Sequence, residues 1–165
     1  MNYVIKYVSG EPCFDALGVI KLGCAQSVPI NERIFAQAQI GRNDDSLFVR
    51  IISFETKPMA TARLTAIIGF GERALHMTVT ADGQAKAYCG DSDFTAQMTA
   101  YIKQGEDLQG EYWAGVLMFP LKSLFLALGT DKSALPLTLW GNILREYPAC
   151  SRAVAANETG TFTLR

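Results

Sequence analysis

The chain has 165 residues, 49% of them hydrophobic and 19% charged, with a formal net charge of -1. This length is enough for one domain with a sizeable core, and the balance excludes a disordered or low-complexity chain. Lysine and arginine are dispersed without a basic stripe and no acidic tail is present, so neither a nucleic-acid partner nor a strongly basic partner is expected.

Residues 1–7 contain no long apolar run of the secretory type. The longest apolar stretch, 113–128, is broken by Pro120, Lys122 and Ser123, short of the run of about 18 residues that a membrane span needs. A soluble cytoplasmic protein without membrane contact is therefore expected. The four cysteines, Cys13, Cys24, Cys89 and Cys150, are widely spread, and His76 is the single histidine. Structural metal sites need ligands at short paired spacings, so no metal and no cofactor is expected. Free thiols in a reducing compartment are the simpler reading, and nothing supports a Cys13–Cys24 bridge.

Period-two alternation dominates the chain and predicts strands. Over 34–41, Ile34, Ala36, Ala38 and Ile40 share one face; the turn at 42–45 leads into 46–55, apolar on both faces. Segment 62–70 sets Leu64, Ala66, Ile68 and Phe70 against Arg63 and Thr65, with Gly69-Phe70-Gly71-Glu72 read as a hairpin turn rather than a phosphate loop. Segment 74–80 sets Leu75, Met77 and Val79 against His76, Thr78 and Thr80, and Asp82-Gly83 turns into a strand at 85–89. Residues 95–102 fit either a helix face or a strand; the strand is preferred because it would pair through the turn 104–110 with 112–119. Pro120, the spacing of Leu121, Leu124, Phe125 and Leu128, and Gly129 predict one helix. A strand at 137–145 follows, ending in Tyr147-Pro148, and 161–165 closes the chain. Nine to eleven short strands in one domain over 1–165 predict an all-β sandwich or barrel.

Four segments carry a resemblance. They are Leu47-Phe48-Val49-Arg50-Ile51-Ile52-Ser53-Phe54-Glu55; Tyr112-Trp113 through Phe119-Pro120-Leu121 to Leu124; Leu137 through Asn142-Ile143-Leu144-Arg145-Glu146-Tyr147; and Gly160-Thr161-Phe162-Thr163-Leu164. In this order, over about 28–165, the chain resembles the family nine carbohydrate-binding modules and the wider DOMON-like β-sandwiches. The resemblance implies an all-β sandwich of jelly-roll type with one short helix. It also implies a non-catalytic module that binds a mono- or oligosaccharide, with Asn142 in a place like the family's sugar-contacting asparagine. One departure is large. The family's sugar clamp uses a tryptophan and an acidic strand after the position of Glu55, and Ala62-Arg63-Leu64-Thr65-Ala66-Ile67-Ile68 has neither. The ancestral site is thus expected to be remodelled or lost.

The residues expected to bind are Trp140 and Asn142, on one strand face, with Arg145 and Tyr147 at the polar exit of that strand. The alternative for Arg145-Glu146-Tyr147 is a surface salt bridge beside a loop anchored by Pro148. Trp113 is expected in the core, since its strand is apolar on both sides. Arg50 and Glu55 fall on opposite faces of one strand, and Arg50 is read as a half-buried cation beside aromatics or an exposed edge. His76 lies on a face with Thr78 and Thr80, without an evident nucleophile, so no catalytic residue is expected. Cys89, before Gly90-Asp91, has no neighbour that would activate a thiol. Asp44-Asp45 and Asp91/Asp93 read as turn carboxylates rather than a calcium site. Two other functions stay open. One is a structural or interaction sandwich with a protein partner or homodimer and no sugar site. The other is a small enzyme, which would need His76 or a cysteine beside a carboxylate in a pocket.

Overall fold

The computed structural model describes residues 1–147, 150–154, 158 and 160–165. Its strands are β1 (Asn2–Tyr7), β2 (Ile20–Cys24), β3 (Ala36–Arg42), β4 (Ser46–Ser53), β5 (Arg63–Phe70), β6 (Arg73–Thr80), β7 (Ala85–Cys89) and β8 (Ser92–Asp93). They continue with β9 (Thr99–Asp107), β10 (Gly110–Pro120), β11 (Leu137–Glu146), β12 (Ser151–Arg152) and β13 (Gly160–Leu164), and α1 (Leu121–Leu128) separates β10 from β11. The chain is an all-β sandwich with one short helix.

The first sheet runs β8-β7-β6-β5-β11-β13-β1, antiparallel except where β1 meets β13. The second runs β9-β10-β4-β3, with β2 and the end of β1 sharing the far side of β3. Two seams join them. β1 pairs with β13 over Asn2–Ile5 and then with β3 at Lys6 and Tyr7, while β12 bridges β11 to β2. Closure of this kind leaves fewer bare edges for unwanted pairing.

The period-two pattern explains which side chains meet. Leu64, Ile68, Leu75, Val79, Ile143 and Phe162 of the first sheet face inward, as do Leu47, Val49, Ile51, Leu117 and Phe119 of the second; all are buried. Each such side chain contributes about 1.5–3 kcal/mol on leaving water. Helix α1 adds Leu121, Leu124, Phe125 and Leu128 to the same core. It starts after Pro120 and stops at Gly129, whose φ of 70° is the left-handed conformation that glycine tolerates best.

Most expected strands stand within a few residues of their predicted bounds. The 95–102 segment is split: a 3-10 turn covers Thr95–Gln97 and β9 begins at Thr99. β9 pairs with β10 as expected, but it runs on to Asp107, so the turn is tighter. Pro148 lies outside the described residues.

Candidate functional site

β11 positions three of the expected binding residues, and its register decides which face each takes. Trp140 and Asn142 stand on the outer face of the first sheet, opposite Gly69 and Ile67 of β5. Gly69 has no side chain, so the indole lies against the strand; a Cβ at that position would come within 2.2 Å of the Trp140 ring. The Trp140 Nε1 donates to the Gly71 carbonyl at 2.9 Å, which fixes the ring in its plane. The indole is half-buried and preset.

Asn142 is engaged differently. Its Nδ2 donates to the Val154 carbonyl at 3.0 Å, and its Oδ1 accepts from the Val154 amide at 3.1 Å and the Ile143 amide at 2.9 Å. The side chain therefore holds the 150–154 segment against β11, next to the indole. Its amide orients the site rather than reaching freely into solvent.

Arg145 corrects the expectation of a polar surface residue. It shares the inward parity of Leu137, Leu139 and Ile143 and is fully buried. Its Nη2 lies 2.5 Å from Glu55 Oε1, its Nε donates to Glu55 Oε2 at 2.9 Å, and its Nη1 donates to the Tyr147 carbonyl at 2.5 Å. Ser53 and Trp113 donate to the same carboxylate, at 2.5 and 2.9 Å. Burial by itself raises the Glu55 pKa, but the hydrogen bonds from Arg145, Ser53 and Trp113 outweigh it and the carboxyl sits below its ordinary range. This cluster ties β11 of one sheet to β4 and β10 of the other. A buried side chain that is closed off in this way cannot contact a sugar. Trp113 is a core residue, as its strand pattern implied.

Tyr147 is 52% exposed at φ 62°. Its ring lies 5.3 Å from the Arg63 guanidinium. Arg63 Nε and Thr65 Oγ1 each donate to Glu146 Oε2 at 2.9 Å. The outer face therefore carries an aromatic at each end of a mixed strip, with Trp140 at one end, Tyr147 at the other, and Asn142, Ile67, Leu144 and Thr65 between them. Six residue steps of about 3.3 Å lead from Trp140 to Glu146, roughly 20 Å along the strand.

Sequence reasoning placed Glu146 in the polar exit of the strand, with a salt bridge as the alternative, but not among the binding residues; the structure pairs it with Arg63. Glu146 faces outward with Trp140 and Asn142 by strand parity, which was a usable signal; its pairing with Arg63 across β5 was not readable without the register. The neighbouring strands add His76 and Tyr88, stacked with centroids 4.9 Å apart and planes at 10°. Burial lowers the His76 pKa, the Glu146 charge opposes the shift and Arg63 adds to it. Among the described residues His76 makes no hydrogen bond to a nucleophilic side chain.

The other residues of chemical interest lie away from this face. Arg50 faces away from Glu55 and lies 4.8 Å over the Phe14 ring, the half-buried cation beside an aromatic. Cys89 is buried and its Sγ donates to the Ala127 carbonyl at 3.3 Å. All four cysteines are free thiols. Asp82, Asp93 and Asp131 have pKa values below the ordinary range, first through side-chain hydrogen bonds from Thr80, Thr95 and Ser133 in their turns. No cluster of three or more metal-ligating side chains occurs among the described residues, and no helix among them is long and apolar enough to cross a membrane.

No protein-family model and no curated protein matches the chain. Solved structures do. A candidate carbohydrate-binding protein from Bacteroides uniformis ATCC 8492 superposes with a TM-score of 0.74 at 12% identity, covering 99% of each chain. A family 9 carbohydrate-binding module from Caldicellulosiruptor kristjanssonii in complex with glucose gives 0.69 at 9% identity, covering 100% of this chain and 96% of that one. The cellotriose complex gives 0.68 at 9% identity, covering 100% and 94%. With two sheets, the helix after the tryptophan strand and end-to-end overlap, the chain has the fold of the family 9 carbohydrate-binding modules.

Proposed function

We propose that the chain is a single non-catalytic module that binds a saccharide along the outer face of β11. The observation that carries this reading is the Trp140 indole, laid on Gly69 and fixed by its bond to Gly71. A preset ring loses little freedom on binding, and an indole face matches the apolar face of a pyranose. Asn142 holds the neighbouring segment, and Arg63, Glu146 and Tyr147 supply polar and aromatic contacts farther along. Arg145 acts from beneath, by fixing the Tyr147 carbonyl. The missing clamp tryptophan makes this a one-sided platform instead of a slot. Fold relatives bound to glucose and cellotriose support the ligand class.

The test is isothermal titration against glucose, cellotriose and a panel of other saccharides, with tryptophan fluorescence recorded in parallel. Binding with a fluorescence shift is expected, because Trp113 is sealed in the core and Trp140 is not. Trp140→Ala, with an unchanged circular dichroism spectrum, should weaken binding at least about tenfold. Absence of both heat and fluorescence change across the panel sinks the proposal.

A further inference from the structure

We propose that the opposite face of the sandwich carries a second binding site, for a ring compound bearing a carboxylate. A cavity of about 330 Å³ lies on the outer surface of the second sheet, within the size range of small-ligand sites. Its floor is apolar: Ile52, Ala114 and Val116 face outward here, yet all three are buried beneath their neighbours. Tyr101 and Tyr112 stand along one side and Phe14 along the other. Tyr101 is 48% exposed, so its ring is open to a partner. Tyr112 leans over Gly105, where a Cβ would lie 2.6 Å from its hydroxyl.

The charge is built in. Gln39 is 5% exposed, and its Nε2 donates to the carbonyls of Phe14 and Leu17 at 2.8 and 3.2 Å. Its Oε1 accepts from Arg50 Nε at 2.9 Å and Arg50 Nη2 at 2.6 Å. One buried amide therefore fixes both the wall segment and the cation on the floor. Asp15 approaches Arg50 Nη2 at 3.6 Å, and Nη1 has no hydrogen-bond partner among the described residues. Lys103, on the rim, belongs to none of the three ion pairs formed among them. The lining carries two cations, Arg50 and Lys103, and one carboxylate, Glu11, while Asp15 lies exposed beside Arg50. A flat ring on Tyr101 would place a carboxylate toward Arg50 Nη1 and Lys103, and Glu11 would accept a ring hydroxyl.

Two sources share this chemistry, a hexuronic acid and an aryl carboxylate. Isothermal titration with D-glucuronate, D-glucose and 4-hydroxybenzoate on the full chain separates them. At least one acid should bind, at least about tenfold more tightly in this site than glucose does, and its affinity should fall with added salt. Saturation of the Trp140 face with cellotriose should not displace it, and Trp140→Ala should leave it unchanged. Arg50→Met should abolish the preference for acid. Because Arg50 packs on Gln39, Lys103→Gln and Tyr101→Ala provide exposed-side variants, each expected to weaken acid binding several-fold with the fold intact. No acid binding, equal binding of glucose in this site, or acid affinity unchanged in all three variants would overturn the proposal. Loss of saccharide binding at Trp140 alone would leave it standing.

Discussion

Glu55 accepts hydrogen bonds from Arg145, Ser53 and Trp113, which come from both sheets. Its removal should therefore cost more than an ordinary surface substitution. Glu55→Ala leaves the Arg145 guanidinium buried without its counter-charge, and breaking a buried pair on one side costs about 3–5 kcal/mol. The denaturation midpoint should fall accordingly while the slope of the transition is kept. A loss as small as that of an exposed ion pair would show that water reaches Arg145. The cluster was half legible in the sequence. The odd-numbered positions of 137–145 are apolar up to Arg145, so parity put that residue inside; the polar run Arg145-Glu146-Tyr147 suggested a surface instead. What parity could not give was the partner, 90 residues away in the chain.

At the level of elements, the approach of β5 to β11 determines the shape of the Trp140 platform. Gly69 leaves room for the indole, and Gly141, next to Trp140, has space for no side chain because a Cβ would lie 2.0 Å from the Ile67 carbonyl oxygen. Gly69→Ala should push the ring off the strand at an overpacking cost of about 1–3 kcal/mol. The expected readout is a shifted tryptophan emission and weaker saccharide binding in a protein that still folds; unchanged emission and affinity would show that the ring does not need its glycine bed. The strands themselves were readable wherever one face is buried and the other wet, as in β5 and β6. β1 was not: only Ile5 among its six residues is buried, and its pairing with two different sheets leaves no alternation to detect. β12 has only two residues and its role, bridging β11 to β2, comes from tertiary pairing alone. The groove on the second sheet was hidden for a related reason. Its lining joins residues 11–14, 50–52 and 101–118, which only the sheet order brings together.

For the molecule as a whole, acid should weaken the sandwich in two separate steps. His76 lies on the outer face of the first sheet, packed on Tyr88, with Lys86 beyond it and the Arg63–Glu146 pair nearby. Burial is the main cause of its lowered pKa, with Glu146 opposing and Arg63 assisting. The unfolded chain therefore takes up this proton first. Stability is unaffected above the ordinary value of 6.5, falls as pH drops below it, and levels off once the folded imidazole also protonates. Glu55 acts lower. Its folded pKa is depressed, so its contribution is present above the ordinary value of 4.5 and is lost as pH falls through the folded value. The first step comes from one outer face and the second from the clasp between sheets, so they should separate by mutation. Denaturant midpoints measured from about pH 8 to about pH 3 should show both declines in the parent chain. His76→Gln should remove the upper decline only, and Glu55→Gln the lower one only, from a reduced starting stability. A parent profile that is flat between about pH 7 and about pH 5 would mean that the imidazole is as well hydrated folded as unfolded. Persistence of the lower decline in Glu55→Gln would assign it to other carboxylates, and the Arg145–Glu55 pair would then not be the acid-sensitive link between the sheets.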